Sequence, residues 1–123
     1  MIQPRREIRP FLFTIIILLN TTLYGESVYK SRPEDPAAVY LTPENYDVTP
    51  DAPADDSDAL QAAINAVEEK AKFGIVYIPA GEYQLTRPVH VWKGIRLIGY
   101  GQTRPRFVLE PHTSGYEGMK VFI

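Results

Sequence analysis

The sequence predicts a mainly β fold with one amphipathic helix, followed by short strands that stack in parallel as coils of a solenoid. Apolar residues recur at helical spacing over residues 57–73. After Gly74 the hydrophobic period becomes two, which is typical of short half-buried strands. Two similar strand segments, 75–78 and 95–98, start 20 residues apart. That distance lets the chain go round once and lay the second strand beside the first in parallel.

The composition sets the class of protein. The chain has 123 residues, of which 45% are hydrophobic and 23% charged, with a formal net charge of −2. These values fit one ordinary globular domain. The slightly negative net charge argues against the basic surface that binds nucleic acid. Cysteine is absent, which excludes disulfides, thiolate metal sites and a cysteine nucleophile. Because the net charge is slightly negative, we also expect no nucleic-acid partner.

The N-terminal segment, residues 1–25, has the features of a secretory signal peptide. Three arginines precede a run of nine residues over 11–19 that are all apolar except Thr14. A bilayer-spanning helix needs about 20 residues, so a permanent anchor is the weaker alternative. Small residues place cleavage within 22–27, with cuts after Gly25 or Ser27 as the options. The predicted location is secreted or periplasmic, with no stable membrane insertion after cleavage.

Residues 26–56 are predicted to form a Pro-rich N-terminal arm. The arm holds five prolines, each of which fixes its own φ and pushes the preceding residue towards extended geometry. Only the segment 39–41 has the β-branched and aromatic character of a strand. Disorder is the alternative for the arm, because proline with scattered charge is also typical of a linker.

The helix predicted over 57–73 should bury one stripe and leave Gln61 and Glu68 in water. The stripe comprises Leu60, Ile64, Val67 and Ala71. One of three short polar residues, namely Asp55, Asp56 and Ser57, should cap the first turn, and Gly74 should supply the left-handed stop.

An acidic cluster surrounds the start of this helix and consists of Asp51, Asp55, Asp56 and Asp58. Oxygen-rich clusters of this kind bind calcium in some proteins. Helix capping accounts for three of the four residues, and the spacing differs from a calcium loop. We therefore favour capping and predict no metal and no cofactor.

Beyond the helix, the alternating apolar pairs are Val76 and Ile78, Tyr83 and Leu85, Val89 and Val91, and Ile95 and Leu97. The breaks between them are centred on residues 79–81, 87–88, 93–94 and 99–101. These turns lack the Asn-Gly and Asp-Gly pairs of tight antiparallel hairpins. An antiparallel meander is therefore not favoured.

Three blocks of sequence, 55–64, 74–83 and 95–101, together resemble the N-terminal part of the pectate lyase superfamily, which includes rhamnogalacturonase-like and epimerase-like β-helix proteins. The specific elements are the Asp-Asp-Ser helix start and the Tyr-Ile-Pro-x-Gly-x-Tyr turn, and the resemblance covers about residues 45–110. It implies a right-handed parallel β-helix closed at its N-terminal end by the helix. One departure is visible, because Ala-Pro-Ala stands at 52–54 where the family usually has Gly-Val.

The resemblance also implies that complete relatives act on polysaccharides as lyases or glycoside hydrolases. Their catalytic residues belong to later coils, so no catalytic residue is predicted here. The structural residues are expected at the helix start and the turns: Asp55, Asp56, Ser57, Gly74, Pro79, Gly81, Gly99 and Gly101.

Four residues are candidates for carbohydrate contact: Trp92, Tyr100, Arg104 and Arg106. Aromatic rings offer apolar area to sugar rings, and arginine favours bidentate binding of carboxylates such as those of uronates. Ordinary strand and turn positions explain the same four residues. His90 and His112 lack the spacing of a triad or a zinc site and are interpreted as surface histidines.

The C-terminal segment alternates apolar residues at Met119, Val121 and Ile123 without a following turn or cap. An open strand of this kind is expected to self-associate. The leading hypothesis is a truncated, exported N-terminal portion of a β-helix protein that is itself inactive. The alternatives are a non-enzymatic exported β-helix, such as an adhesin, and a small secreted binding domain complete at 123 residues.

Overall fold

The protein is described by a computed structural model that covers residues 25–111 and 113–115. The predicted signal peptide, apart from Gly25, and the C-terminal alternating segment lie outside these residues. The element order is β1 (Val39–Tyr40), α1 (Ser57–Ala71), β2 (Gly74–Pro79), β3 (Glu82–Leu85), β4 (Ile95–Tyr100) and β5 (Arg106–Leu109). The prediction of a mainly β fold with one helix is confirmed. Within the described part, no helix is long and apolar enough to cross a membrane.

Helix α1 buries most of the predicted stripe. Leu60, Ile64 and Val67 are all buried in the core, whereas Ala71 is exposed. The helix ends at Ala71, two residues earlier than predicted, and the left-handed residue is Lys72 with φ of 64°. The prediction that Gly74 supplies this stop is therefore wrong. The helix ends there because Lys72 adopts the left-handed conformation, while its N–H still donates to the carbonyl of Glu68 in the last turn.

All three strand pairs are parallel. β2 lies between β1 and β4 in a three-stranded sheet, and β3 pairs with β5 in a second sheet. The predicted parallel pairing of segments 75–78 and 95–98 is confirmed. The register places Val76 opposite Leu97. The paired residues are thus 21 positions apart in the chain, one more than the distance between the starts of the two predicted segments. This register aligns the inward-facing rows of the two strands.

The predicted strand around Val89 and Val91 does not form. Residues 88–92 have no regular secondary structure, and Val91 is exposed. The backbone of His90 pairs with the side chain of Gln61 on α1. A side-chain amide has thus taken the backbone groups that a strand would offer to its neighbour.

The arm packs into the same core as the helix and strands. Leu41 and Val48 are fully or almost fully buried against α1 and β2. The short strand predicted within 39–41 is confirmed, because β1 pairs with β2 through Val39 and Val76. Hydrophobic burial at these positions explains why a segment with five prolines is ordered here.

Tyr77 points away from this core, yet it is only 6% exposed. Three other tyrosine rings surround it: Tyr40 stacks at 5.4 Å between centroids, while Tyr29 and Tyr100 meet it edge-on at 6.4 and 6.5 Å. Such geometries favour attraction between aromatic rings beyond simple area burial. The outer face of the three-stranded sheet is therefore covered by tyrosines from the arm and from β4.

Candidate functional site

Asp55 organises the start of α1. Its Oδ1 accepts the N–H of Ser57 at 3.0 Å and the Ser57 hydroxyl at 2.6 Å. Its Oδ2 accepts the Thr86 hydroxyl at 2.7 Å and an Arg87 Nη at 3.1 Å. These bonds, led by that of the Ser57 hydroxyl, hold the pKa of Asp55 well below its usual range, although partial burial opposes the shift. Asp55 thus ties the helix start to the end of β3.

Asp56 occupies the N-cap position, but its side chain makes no capping hydrogen bond. Its buried Oδ1 instead accepts the backbone N–H of Thr49 at 2.8 Å, which fastens the arm to the helix. Asp58 pairs with Arg87 at 2.8 Å. Among the described residues, no group of three or more His, Asp or Glu side chains is arranged to hold a metal ion.

Two glycines, Gly99 in β4 and Gly101 just after it, allow close packing at one corner of the molecule, where the turn at residues 80–81 meets the turn at residues 101–105. Gly101 has φ of 114°, and a Cβ there would lie 2.8 Å from that of Ala80. A Cβ on Gly99 would collide with the ring of Pro105. A side chain on Gly101 would force the two turns apart, and one on Gly99 would push Pro105 away from β4. The sequence predicted a turn role for both glycines, but Gly99 lies within β4 and only Gly101 lies in the turn.

These turns border an open cleft of about 290 Å³, the corner cleft. It is lined by Asp51, Ala80, Gly81, Glu82, Thr103, Arg104 and Arg106. Both arginines predicted as carbohydrate-contact candidates therefore line one cleft. Sequence reasoning missed Thr103 and Asp51 as lining residues, although Thr103 lies beside a candidate arginine in the chain.

The environments of the two arginines differ. Arg106 pairs across the strands with Glu82 at 3.4 Å, in the register of β3 and β5. Arg104 donates from Nε to the carbonyl of Glu26 at 3.1 Å. Within residues 25–111 and 113–115, Arg104 forms no ion pair. Arg104 therefore brings a fixed positive charge to the cleft, whereas Glu82 largely neutralises that of Arg106.

The acidic residues of the cleft are engaged by their surroundings. Asp51 has φ of 61°, and its Oδ1 accepts the N–H of Glu82 at 2.9 Å. The N–H of Asp51 donates in turn to the carbonyl of Glu82 at 2.8 Å. Asp51 is thus held as a turn residue, and the Glu82 carboxylate is held by Arg106.

Trp92 lies at the other end of the sheet from the corner cleft. Its carbonyl accepts the N–H of Ile95 at the start of β4, while Arg104 follows the end of that strand. The indole Nε1 donates to Oδ1 of Asn65 on α1 at 3.0 Å, and the ring meets that of His90 at 4.3 Å. Trp92 is 42% exposed. The structure therefore separates the candidates into two places.

Tyr100 belongs to the tyrosine cover of the sheet, where burial raises its pKa. Its ring is half-buried, and its backbone joins the two turns through a hydrogen bond from Ala80. His90 is exposed, and His112 lies outside the described residues.

A family profile described as rhamnogalacturonase A/epimerase, pectate lyase-like, matches residues 42–122. No curated protein and no solved structure matches the chain. The matched region contains α1, the parallel pairs β2–β4 and β3–β5, and the corner cleft. The chain belongs to the rhamnogalacturonase A/epimerase, pectate lyase-like family.

Proposed function

We propose that this chain forms the exported N-terminal coils of a right-handed β-helix protein that acts on acidic polysaccharides, and that its corner cleft binds a uronate carboxylate. The family assignment supports a polysaccharide as the ligand class. The parallel pairing of β2 with β4 and of β3 with β5 supports the solenoid coil. Export rests on the basic and apolar pattern of the first 25 residues.

The observation that carries the binding role is the placement of Arg104. Its Nε is bonded to a backbone carbonyl, so the guanidinium is oriented without being neutralised by a described carboxylate. Arginine binds carboxylates through a planar fork of N–H donors. The nearby Thr103 adds a hydroxyl suited to a sugar oxygen.

The same geometry argues against catalysis by the cleft itself. A glycoside hydrolase or lyase needs an acid or base that reaches the substrate. Here Asp51 is bonded to the backbone of Glu82, and Glu82 is paired with Arg106. This favours a second candidate function, a non-enzymatic exported β-helix that only binds polysaccharide.

Binding is tested with polygalacturonate and with the same polymer after full methyl esterification, because the two differ in carboxylate charge. We expect Arg104→Gln to weaken binding of the charged polymer at least fivefold, while Arg96→Gln, an exposed control on β4 with the same change of charge, has no effect. Equal binding of both polymers, or an unaffected Arg104→Gln variant, would overturn the proposed ligand.

Catalysis is tested separately on pectin, alginate and β-glucan, with and without calcium. We expect no depolymerisation above a heat-treated control. Turnover above that control would contradict this expectation.

A further inference from the structure

Trp92, the single tryptophan of the chain, lies outside the corner cleft, yet its ring is held in a defined orientation. The indole Nε1 donates to Oδ1 of Asn65 at 3.0 Å, and the imidazole of His90 meets the ring edge-on at 4.3 Å between centroids. The backbone of His90 is fixed in turn by both ends of the Gln61 amide. A side chain that is already fixed loses little conformational entropy when a ligand binds to it.

The ring stays accessible despite these contacts. Trp92 is 42% exposed. Phe73 is 70% exposed and borders the same turn, because a Cβ placed on Gly94 would lie 3.3 Å from that of Phe73. Within the described part of the chain, the side chain of His90 makes no hydrogen bond, so its ring nitrogens are available to a ligand hydroxyl. Trp92, His90 and Phe73 are here called the Trp92 platform.

Further coils of a β-helix would leave the Trp92 platform open. β4 is an outer strand of the described three-stranded sheet, so a following coil would pair with the edge of β4 opposite to β2. The hydrogen bond to Asn65 turns Trp92 towards α1 instead, and α1 packs mainly against β1 and β2. The platform therefore lies towards the start of the coil, away from strands that would follow β4.

We propose that the Trp92 platform binds the apolar face of a pyranose ring in a polysaccharide, and that this contact needs no carboxylate charge. The ligand class rests on the proposed function, whereas the site is separate from the corner cleft. A pyranose offers C–H groups on its faces and hydroxyls around its rim. The platform offers the complementary groups, an exposed aromatic ring with an imidazole at its edge. It would therefore hold neutral or esterified sugar units, which give the Arg104 guanidinium no carboxylate to bind.

The test titrates fully methyl-esterified polygalacturonate into the full exported chain and follows tryptophan fluorescence. Since Trp92 is the single tryptophan, the signal reports on this ring alone. We expect the polymer to shift the emission and to protect the ring from quenching by acrylamide, with little dependence on salt because no ion pair is formed. Unchanged emission together with unchanged quenching would overturn the proposed site.

Trp92→Ala should weaken binding of the esterified polymer about tenfold in calorimetry. Phe107→Ala is the matched control, because Phe107 is an aromatic residue of β5 with a similar exposed fraction, 39%, and it should have no effect. Arg104→Gln should leave the fluorescence response to the esterified polymer intact, so failure of the corner cleft and failure of the platform are distinguishable.

Unaltered affinity of Trp92→Ala would overturn the platform. A dimer that Trp92→Ala dissociates in sedimentation would also overturn it, because a second copy would then cover the ring. If Trp92→Ala does not fold, His90→Ala provides a second variant that keeps the tryptophan signal. It should weaken the same binding about threefold through loss of a hydrogen bond to the sugar.

Discussion

The side-chain amide of Gln61 pairs with the backbone of His90 through two hydrogen bonds: Nε2 donates to the His90 carbonyl at 3.0 Å, and Oε1 accepts the His90 N–H at 2.8 Å. The same Nε2 also donates to Asn65, which accepts the indole N–H of Trp92. The outer face of α1 therefore holds the 88–92 segment. The expectation that Gln61 simply faces water is wrong.

Gln61→Ala should lower the free energy of unfolding by about 1 kcal/mol, because a typical net hydrogen bond contributes roughly 0.5–1.5 kcal/mol. It should also accelerate amide exchange of His90. Gln102→Ala, at an exposed position in a turn, is the control and should change neither quantity. Denaturant unfolding and hydrogen exchange measure the two effects. Identical behaviour of both variants would contradict the role of Gln61 in holding the 88–92 segment.

Ile64→Ala tests the orientation of α1 against the strands. Ile64 has no exposed surface, so truncation should cost roughly 2–5 kcal/mol through lost burial and a cavity. Glu69→Ala, on the exposed face of the same helix, should cost a few tenths of a kcal/mol at most. Equal shifts of the denaturant midpoint in the two variants would refute this packing.

Asp55 should make the free energy of unfolding depend on pH. Its pKa is lowered in the folded state, so the unfolded chain binds more protons once the pH falls below the unfolded value of about 4. The stability contributed by Asp55 is therefore present above about pH 4 and is lost as the pH falls from there towards the folded pKa.

Asp55→Asn should flatten this loss in unfolding experiments between about pH 4 and pH 2. Asp47→Asn, an exposed aspartate of the arm, serves as the control and should retain the slope of the unmodified protein. A steep acid dependence that survives Asp55→Asn would assign the effect to another carboxylate.

The mature N-terminus should lie between residues 23 and 28, as expected for a cleaved signal peptide. N-terminal sequencing of the secreted protein measures it. A first residue of Glu26 would keep Ser27 and its bond to Gly99, whereas a first residue of Val28 would remove Ser27 together with that bond. Recovery of intact Met1 in a membrane fraction would identify the segment as an anchor instead.

Local patterns in the sequence determined the elements whose physics is local. The spacing of Leu60, Ile64 and Val67 specified the buried stripe of α1, because side chains three and four residues apart share a helix face. The alternation around Val76 and Leu97 specified two inward rows, because strand side chains alternate with a period of two. The Asp-Asp-Ser and Tyr-Ile-Pro-x-Gly-x-Tyr motifs were specific enough to indicate the family.

Tertiary structure decided the features that depend on residues far apart in the chain. The burial of Tyr77 depends on rings from the arm and β4, and the loss of a strand at His90 depends on a side chain 29 positions earlier. The two arginines look equivalent in sequence, but Arg106 meets Glu82 only through the register of β3 and β5. Partners of this kind follow from where the backbone places them, since hydrogen bonds and ion pairs act only over a few ångströms.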